Sequence, residues 1–271
     1  MTGQATMRVT VCELADAPAD APQWSELGER LRDEETDLLL LPEMPFSPWL
    51  AGEPAFALDR WRAAVAAHDA GVWRLSDLGV PAVVSSRPVE RGGRRYNEAF
   101  LWTARDGYRA LHVKSRLPAE EGYWEATWFA AGPEPAPTGV GYGPAVLAAS
   151  ICSELWHFER ARTAAQAGVN LILTPRATSG GWTDNWLVAG RATAVSSGAF
   201  CLSSNRVVAD GAPVPPGQPQ FGGSSWIIDP EGTVLARTSR HEPLLTRAID
   251  LAQATSARTT YPRNLVGPGT A

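Results

Sequence analysis

Three polar residues stand directly after apolar runs. Glu43 follows Leu38-Leu39-Leu40-Leu41-Pro42, Lys114 follows Leu111-His112-Val113, and Cys152 follows Ala148-Ala149-Ser150-Ile151. A carboxylate, an ammonium and a thiol can together carry out nucleophilic catalysis. The thiol attacks once a base takes its proton, Glu43 is the candidate base, and an ammonium can hold a developing oxyanion. Composition singles out the lysine, because the chain has 24 Lys plus Arg and Lys114 is its single Lys. A drift towards arginine explains the missing lysines, since either cation solvates well on a surface. It does not explain the survivor, whose compact charge can change protonation state where a planar guanidinium cannot. Cys152 lies where a strand turns towards a helix, and the free N–H groups of such a turn lower a thiol's pKa and can receive an oxyanion. Cys12 and Cys201 fall inside strand-like runs and read as buried structural thiols.

Residues at the ends of strands must be held by a sheet, because the carboxyl ends of strands form the crevice in which open α/β sheets bind ligands. Short apolar runs predict strands over residues 7–14, 37–41, 80–85, 96–103, 108–113, 146–151, 170–174, 200–205, 224–228, 233–237 and 244–249. Helical spacing predicts helices over 23–33, 58–78, 156–167 and 183–197, the third closed by Gly168 as a C-cap. Asp106-Gly107 joins two strands as a hairpin, so the sheet is mixed. Residues 208–223 are rich in Pro and Gly without periodicity and read as a long loop. No composition shift or fixed repeat divides the chain, which reads as one domain over 1–271 with a polar tail over 252–271.

Composition closes off several classes of function. With 24 basic and 29 acidic residues the formal charge is −5, unsuited to a polyanion partner, so no nucleic acid is expected. The three cysteines are an odd number without metal-ligand spacing, and the four histidines are scattered. No metal, organic cofactor or disulfide is therefore expected. No apolar run approaches the roughly 20 residues of a membrane span, and residues 1–13 lack a leader-like pattern. A cytoplasmic protein without a membrane partner is expected.

Around the three polar residues, Ser153 offers a backbone N–H to an oxyanion. Trp156 and Trp182 follow the nucleophile and the Thr174-Pro175-Arg176 loop as candidate pocket walls. Arg176 suits a substrate carboxylate, which its planar fork can bind bidentately, or equally a structural salt bridge. His112 shares a strand face with Lys114 and reads as a hydrogen-bonded pocket or core residue, while His68, His157 and His241 read as surface or helix residues.

These motifs resemble those of the nitrilase, or carbon-nitrogen hydrolase, superfamily over nearly the whole chain. Leu40-Leu41-Pro42-Glu43 is similar to its first-glutamate motif. Tyr96-Asn97, Tyr108 and His112-Val113-Lys114 are similar to its lysine motif, and Ile151-Cys152 to its nucleophile motif. Glu159, Arg162, the stretch Gly168-Val169-Asn170-Leu171-Ile172-Leu173-Thr174-Pro175, Gly223-Ser224-Ser225 and Asp229-Pro230-Glu231-Gly232 agree as well, although Phe158 replaces a common proline. The resemblance implies a four-layer α-β-β-α sandwich with mixed parallel and antiparallel sheets, a Glu-Lys-Cys triad of Glu43, Lys114 and Cys152, and pairing into a homodimer or higher homo-oligomer. It also implies a second active-site glutamate at Glu125, with Glu120 and Glu121 as competitors. Tyr123-Trp124-Glu125 resembles the corresponding segment of carbamoylputrescine-type amidases, whereas Ser153 stands where true nitrilases carry a tryptophan. The expected activity is therefore hydrolysis of a small-molecule amide or N-carbamoyl bond through a thioester. A nitrilase or N-acyl transferase using the same intermediate, and a non-catalytic binding module, are the alternatives.

Overall fold

The computed structural model describes residues 6–133, 139–209, 211–214 and 216–265. Its strands are β1 (Thr6–Leu14), β2 (Leu38–Leu40), β3 (Ala82–Arg91), β4 (Arg94–Thr103), β5 (Gly107–Val113) and β6 (Val140–Tyr142). They continue with β7 (Ala145–Ala149), β8 (Leu171–Arg176), β9 (Phe200–Arg206), β10 (Trp226–Ile228), β11 (Val234–Arg237) and β12 (Leu244–Asp250). The helices are α1 (Pro22–Asp33), α2 (Leu58–Trp73), α3 (Glu125–Trp128), α4 (Phe158–Gln166), α5 (Thr183–Ser197) and α6 (Leu251–Ala257).

The strands form two sheets of matching layout, β5-β4-β3-β2-β1-β12 and β6-β7-β8-β9-β10-β11. In each the three inner strands of the β-α units pair in parallel, β1-β2-β3 and β7-β8-β9, and the flanking pairs are antiparallel. The sheets meet where Glu13 pairs with Asn205 and Leu14 with Arg206. Side chains alternate between two buried faces, as the two-residue period of a strand requires. Leu38 and Leu40 enter the core between the sheets with Val9, Val11, Leu171, Leu173, Phe200 and Leu202, while Leu39 and Leu41 face the helix layer of Trp24, Leu27 and Leu31. A continuous leucine run is thus what a strand covered on both faces needs. On the far side, Cys201, Trp226 and Ile228 pack against α5, and Ala148 and Ile172 against α4. Gly190 lets α5 approach closely, since a Cβ there would lie 3.0 Å from Trp226 and Ile228. The result is the four-layer α-β-β-α order, and Cys12 and Cys201 are the buried structural thiols expected.

Differences from the sequence reading have local causes. The strand expected over 80–85 runs on to Arg91 and pairs with β4 through a turn at Gly92-Gly93, both at positive φ (56° and 71°). Its charged end, with Arg87 paired to Asp69 and Arg91 to Glu98, has no apolar alternation to reveal it. The helix expected over 58–78 breaks at Arg74, followed by a 3-10 turn at Leu75–Leu78. The helix expected over 156–167 begins at Phe158, after a 3-10 turn at Cys152–Trp156, and Gly168 follows at φ 72° as its terminator. The expected polar tail begins with α6, capped by Asp250 Oδ1 accepting from Ala252 N–H at 2.9 Å and burying Leu251, Ala254 and Ala257. Residues 266–271 of that tail lie outside the described residues. The loop over 208–223 is tied to residues 178–180, with Gly222 N–H donating to Thr178 O at 3.0 Å and Gly180 N–H to Gln220 O at 3.3 Å. No helix among the described residues is long and apolar enough to cross a membrane.

Candidate active site

β2 delivers Glu43 three residues past its end. Leu41 N–H still donates to Val84 O (2.8 Å), Ser85 Oγ donates to Pro42 O (2.7 Å), and the chain then turns through Met44 at φ 46°. β5 delivers Lys114, whose N–H donates to Asn97 O (2.9 Å) and whose carbonyl accepts from Gly132 N–H (2.8 Å). β7 delivers Cys152, which opens the 3-10 turn at φ 47°. A non-glycine residue in the left-handed region marks a strained elbow held by its surroundings. Glu125 is the first residue of α3.

The three strands converge. Lys114 Nζ donates to Glu43 Oε1 at 2.9 Å and to Glu125 Oε1 and Oε2 at 2.7 and 2.8 Å. Asn97 Nδ2 donates to Glu43 Oε1 at 2.7 Å. Glu43 and Lys114 are fully buried, and Glu125 and Cys152 nearly so. Burial by itself draws the Lys114 ammonium towards neutrality, but the charges of Glu125 and Glu43 more than offset it and raise its pKa, so it stays charged. Burial pushes the Glu125 carboxyl up to about 7, with the Lys114 charge opposing the rise. For Cys152 the expected lowering is reversed. Burial raises the thiol above its ordinary value, the Glu43 charge adds to this, and Lys114 and the Ala177 N–H only moderate it. A neutral resting thiol therefore depends on a neighbouring base. Glu43 Oε2 is buried without a hydrogen-bond partner and is left open to accept a proton.

Of the three glutamates the sequence left in competition, Glu120 and Glu121 are exposed, and Glu125 meets Lys114. Arg176 does not present a fork to solvent. It is fully buried, donates to Ser203 Oγ (2.6 Å), Thr178 Oγ1 (2.9 Å) and Ser224 O (2.8 Å), and stacks 3.9 Å over Trp226. Burial draws its pKa down to about 9. Its partners all lie inside the protein, and its carbonyl accepts the Glu43 N–H at 3.3 Å. His112 likewise points inward, with Nε2 2.8 Å from Glu154. Trp156 packs against Trp186 at 5.4 Å between ring centroids, and Trp182 is 60% exposed at the start of α5. Ser153 Oγ donates to Arg116 O at 2.6 Å. His68 is a helix residue, on the buried face of α2, and burial pushes its pKa down to about 3.

Several site residues carried no role in the sequence reading. Trp186 packs against the cluster of Ala99, Ala149, Ile151 and Cys152. Tyr123 is enclosed beside Ser179, and burial raises its pKa, with the Cys152 and Glu43 charges adding to the rise. Trp49 meets Tyr123 and Phe221 edge to face. Asn97 stood in the lysine motif without a role of its own, and Glu154 was visible only as the second residue after Cys152. An open groove of about 770 Å³, lined by Ser115, Leu117, Ala126, Phe129, Ser153 and His157, borders the residues next to Lys114, Glu125 and Cys152. Among the described residues no group of three or more His, Cys, Asp or Glu could hold a metal ion.

The family model described as Carbon-nitrogen hydrolase matches residues 3–259 of the chain. The 2-oxoglutaramate amidase of Paenarthrobacter nicotinovorans is 24% identical over 84% of the chain and 77% of its own length. The glutamine-dependent NAD(+) synthetase of Rhodobacter capsulatus is 27% identical over 86% of the chain but only 40% of its own length. Among solved structures, a carbon-nitrogen hydrolase from Helicobacter pylori G27 superposes with a TM-score of 0.79 at 22% identity, covering 96% of this chain and 94% of that one. A mutant of the amidase from Nesterenkonia sp. AN1, showing covalent addition of the acetamide moiety of fluoroacetamide at its active site cysteine, superposes with a TM-score of 0.73 at 24% identity, covering 94% of each chain.

Proposed function

Because the chain belongs to the carbon-nitrogen hydrolase family, we propose that it hydrolyses an amide or N-carbamoyl bond of a small molecule through a thioester on Cys152. One observation carries the reading: the chain's single lysine is fully buried and bonded to both Glu43 and Glu125. Glu43 Oε2 takes the thiol proton as the sulfur attacks the carbonyl carbon, so the thiolate forms only as it reacts. Lys114 and the Ser153 N–H stabilise the resulting oxyanion. Glu43 returns the proton to the leaving nitrogen, the carbon–nitrogen bond breaks, and ammonia or an amine departs. Water then attacks the thioester while Glu43 accepts its proton, and the sulfur leaves with that proton as the acid is released. Glu125 keeps the ammonium fixed between two carboxylates. No step calls on a metal or organic cofactor.

Amide hydrolysis is favoured over nitrile hydrolysis by Ser153, which replaces the tryptophan of true nitrilases, and by the amidase names of the relatives. Arg176 and His112 have internal partners and are left out of substrate recognition; Ser153, Trp186 and Tyr123 are the candidates. Pairing of two copies belongs to the proposal, with Trp182 and Val188 exposed on the α5 side. The test is ammonia release from primary amides, N-carbamoyl compounds and nitriles by the native protein and Cys152→Ala. Release abolished in the variant is expected. Turnover that survives it would refute the thioester, and a rate that needs an added amine would indicate acyl transfer instead.

A further inference from the structure

We infer that Glu154 is a positioning residue that fixes the spacing between Lys114 and Cys152 by clamping the ends of two different sheets together. The inference rests on the reading of those two residues as oxyanion cation and nucleophile. Lys114 comes from the end of β5 in one sheet and Cys152 from the end of β7 in the other, and no backbone ladder joins these strands. The ladder that does join the sheets, at Glu13-Asn205 and Leu14-Arg206, lies on other strands, so bonds close to the site must complete the spacing between ammonium and sulfur.

Glu154 occupies that gap. Its carboxylate is 1% exposed. Oε1 accepts from Ser115 N–H and from Ser115 Oγ, each at 2.8 Å, and Ser115 is the residue after Lys114. Oε2 accepts from Ile151 N–H at 2.8 Å, and Ile151 is the residue before Cys152. His112 Nε2, on β5, lies 2.8 Å from both oxygens. One carboxylate thus takes two donors from the lysine loop, one from β5 and one from the cysteine elbow, close to its full accepting capacity. Burial would raise its pKa, but the hydrogen bond from His112, together with the Arg160 charge and the Ser115 N–H, holds it down at about 2, so the clamp stays ionised at working pH. The elbow needs such support, since Cys152 is held at φ 47°.

Glu154→Gln tests this without changing the side chain's volume. An amide has one acceptor oxygen, so its NH2 must face either the Ser115 or the Ile151 donors, and one loop is pushed away. A displacement of about 1 Å at a reacting centre costs on the order of 100-fold in rate. We expect kcat per folded molecule to fall by about that factor with KM changed by less than about threefold, because the substitution removes no group that touches the substrate. Alkylation of Cys152 by iodoacetamide should slow in parallel. Glu154→Asp keeps both oxygens on a shorter stem and should recover part of the rate. If Glu154→Gln does not fold, Ser115→Ala removes one of the four bonds and should lower kcat by about 3- to 10-fold.

A Glu154→Gln protein with native kcat overturns the inference, and so does one whose melting temperature falls while kcat per folded molecule stays native. Native kcat in Ser115→Ala overturns it equally. Cys152→Ala, run alongside, separates the two levels. If it retains turnover, the reading of the site fails; if it is dead while Glu154→Gln is native, only the clamp fails.

Discussion

Lys114→Arg is the sharpest perturbation of this site, because it preserves charge in a chain whose other cations of this class are all arginine. Three carboxylate oxygens lie 2.7–2.9 Å from Nζ, and the side chain has no exposed surface. A guanidinium is larger and planar, and its charge is spread over three nitrogens instead of one. Fitting it into this closed space overpacks the site, at a cost of about 1–3 kcal/mol, or roughly 2–12 °C in melting temperature. The ion pairs survive in part, so the loss is smaller than the about 3–5 kcal/mol expected when a buried pair loses one partner, as in Lys114→Met. The effect on turnover is larger. Moving the donor off the oxyanion position costs about 10²- to 10³-fold in kcat, equivalent to about 2.7–4 kcal/mol of transition-state stabilisation. The assay is ammonia release at saturating amide, normalised to folded protein by circular dichroism. A Lys114→Arg enzyme with kcat within about threefold of native would refute the argument that this site requires a compact ammonium.

Two further outcomes follow from the same geometry. Burial raises the Glu125 carboxyl from 4.5 to about 7, so it is increasingly protonated below that value and its hold on Lys114 weakens. kcat/KM should therefore fall as pH drops through about 7. Stability has the opposite sign. A carboxyl that binds its proton more tightly folded than unfolded stabilises the fold fully below 4.5, and this contribution is lost as pH rises through about 7. Glu125→Gln should remove both trends, and pH-rate profiles with melting curves check them. Cys201→Ala, in the interface of β9 with α5 where burial pushes the thiol up to about 12, should lower stability by about 1 kcal/mol or more while leaving kcat per folded molecule unchanged. Loss of turnover there would contradict its purely structural role.

Local chemistry made much of this fold legible. The run 38–41 had to be a strand buried on both faces, the helix over 183–197 was visible from its spacing, and Gly168 ended a helix because its φ is 72°. Where charge replaced apolar alternation, in the far half of the β3-β4 hairpin, the pattern lost its signal. The 251–257 helix was hidden for a related reason, since its small polar residues offer only Leu251, Ala254 and Ala257 to the core.

The sequence by itself determined which groups were available: a glutamate, a solitary lysine and a cysteine, each just past a strand. That much is local, because strand ends and residue chemistry are written along the chain. Tertiary structure alone decided which groups meet. It chose Glu125 over Glu120 and Glu121, turned Arg176 and His112 inward, raised the Cys152 thiol where a turn had suggested lowering, and brought Glu154 between the two sheets. Burial and the sum of neighbouring charges set each of these outcomes, and both depend on residues far apart in sequence that only folding brings within a few ångströms.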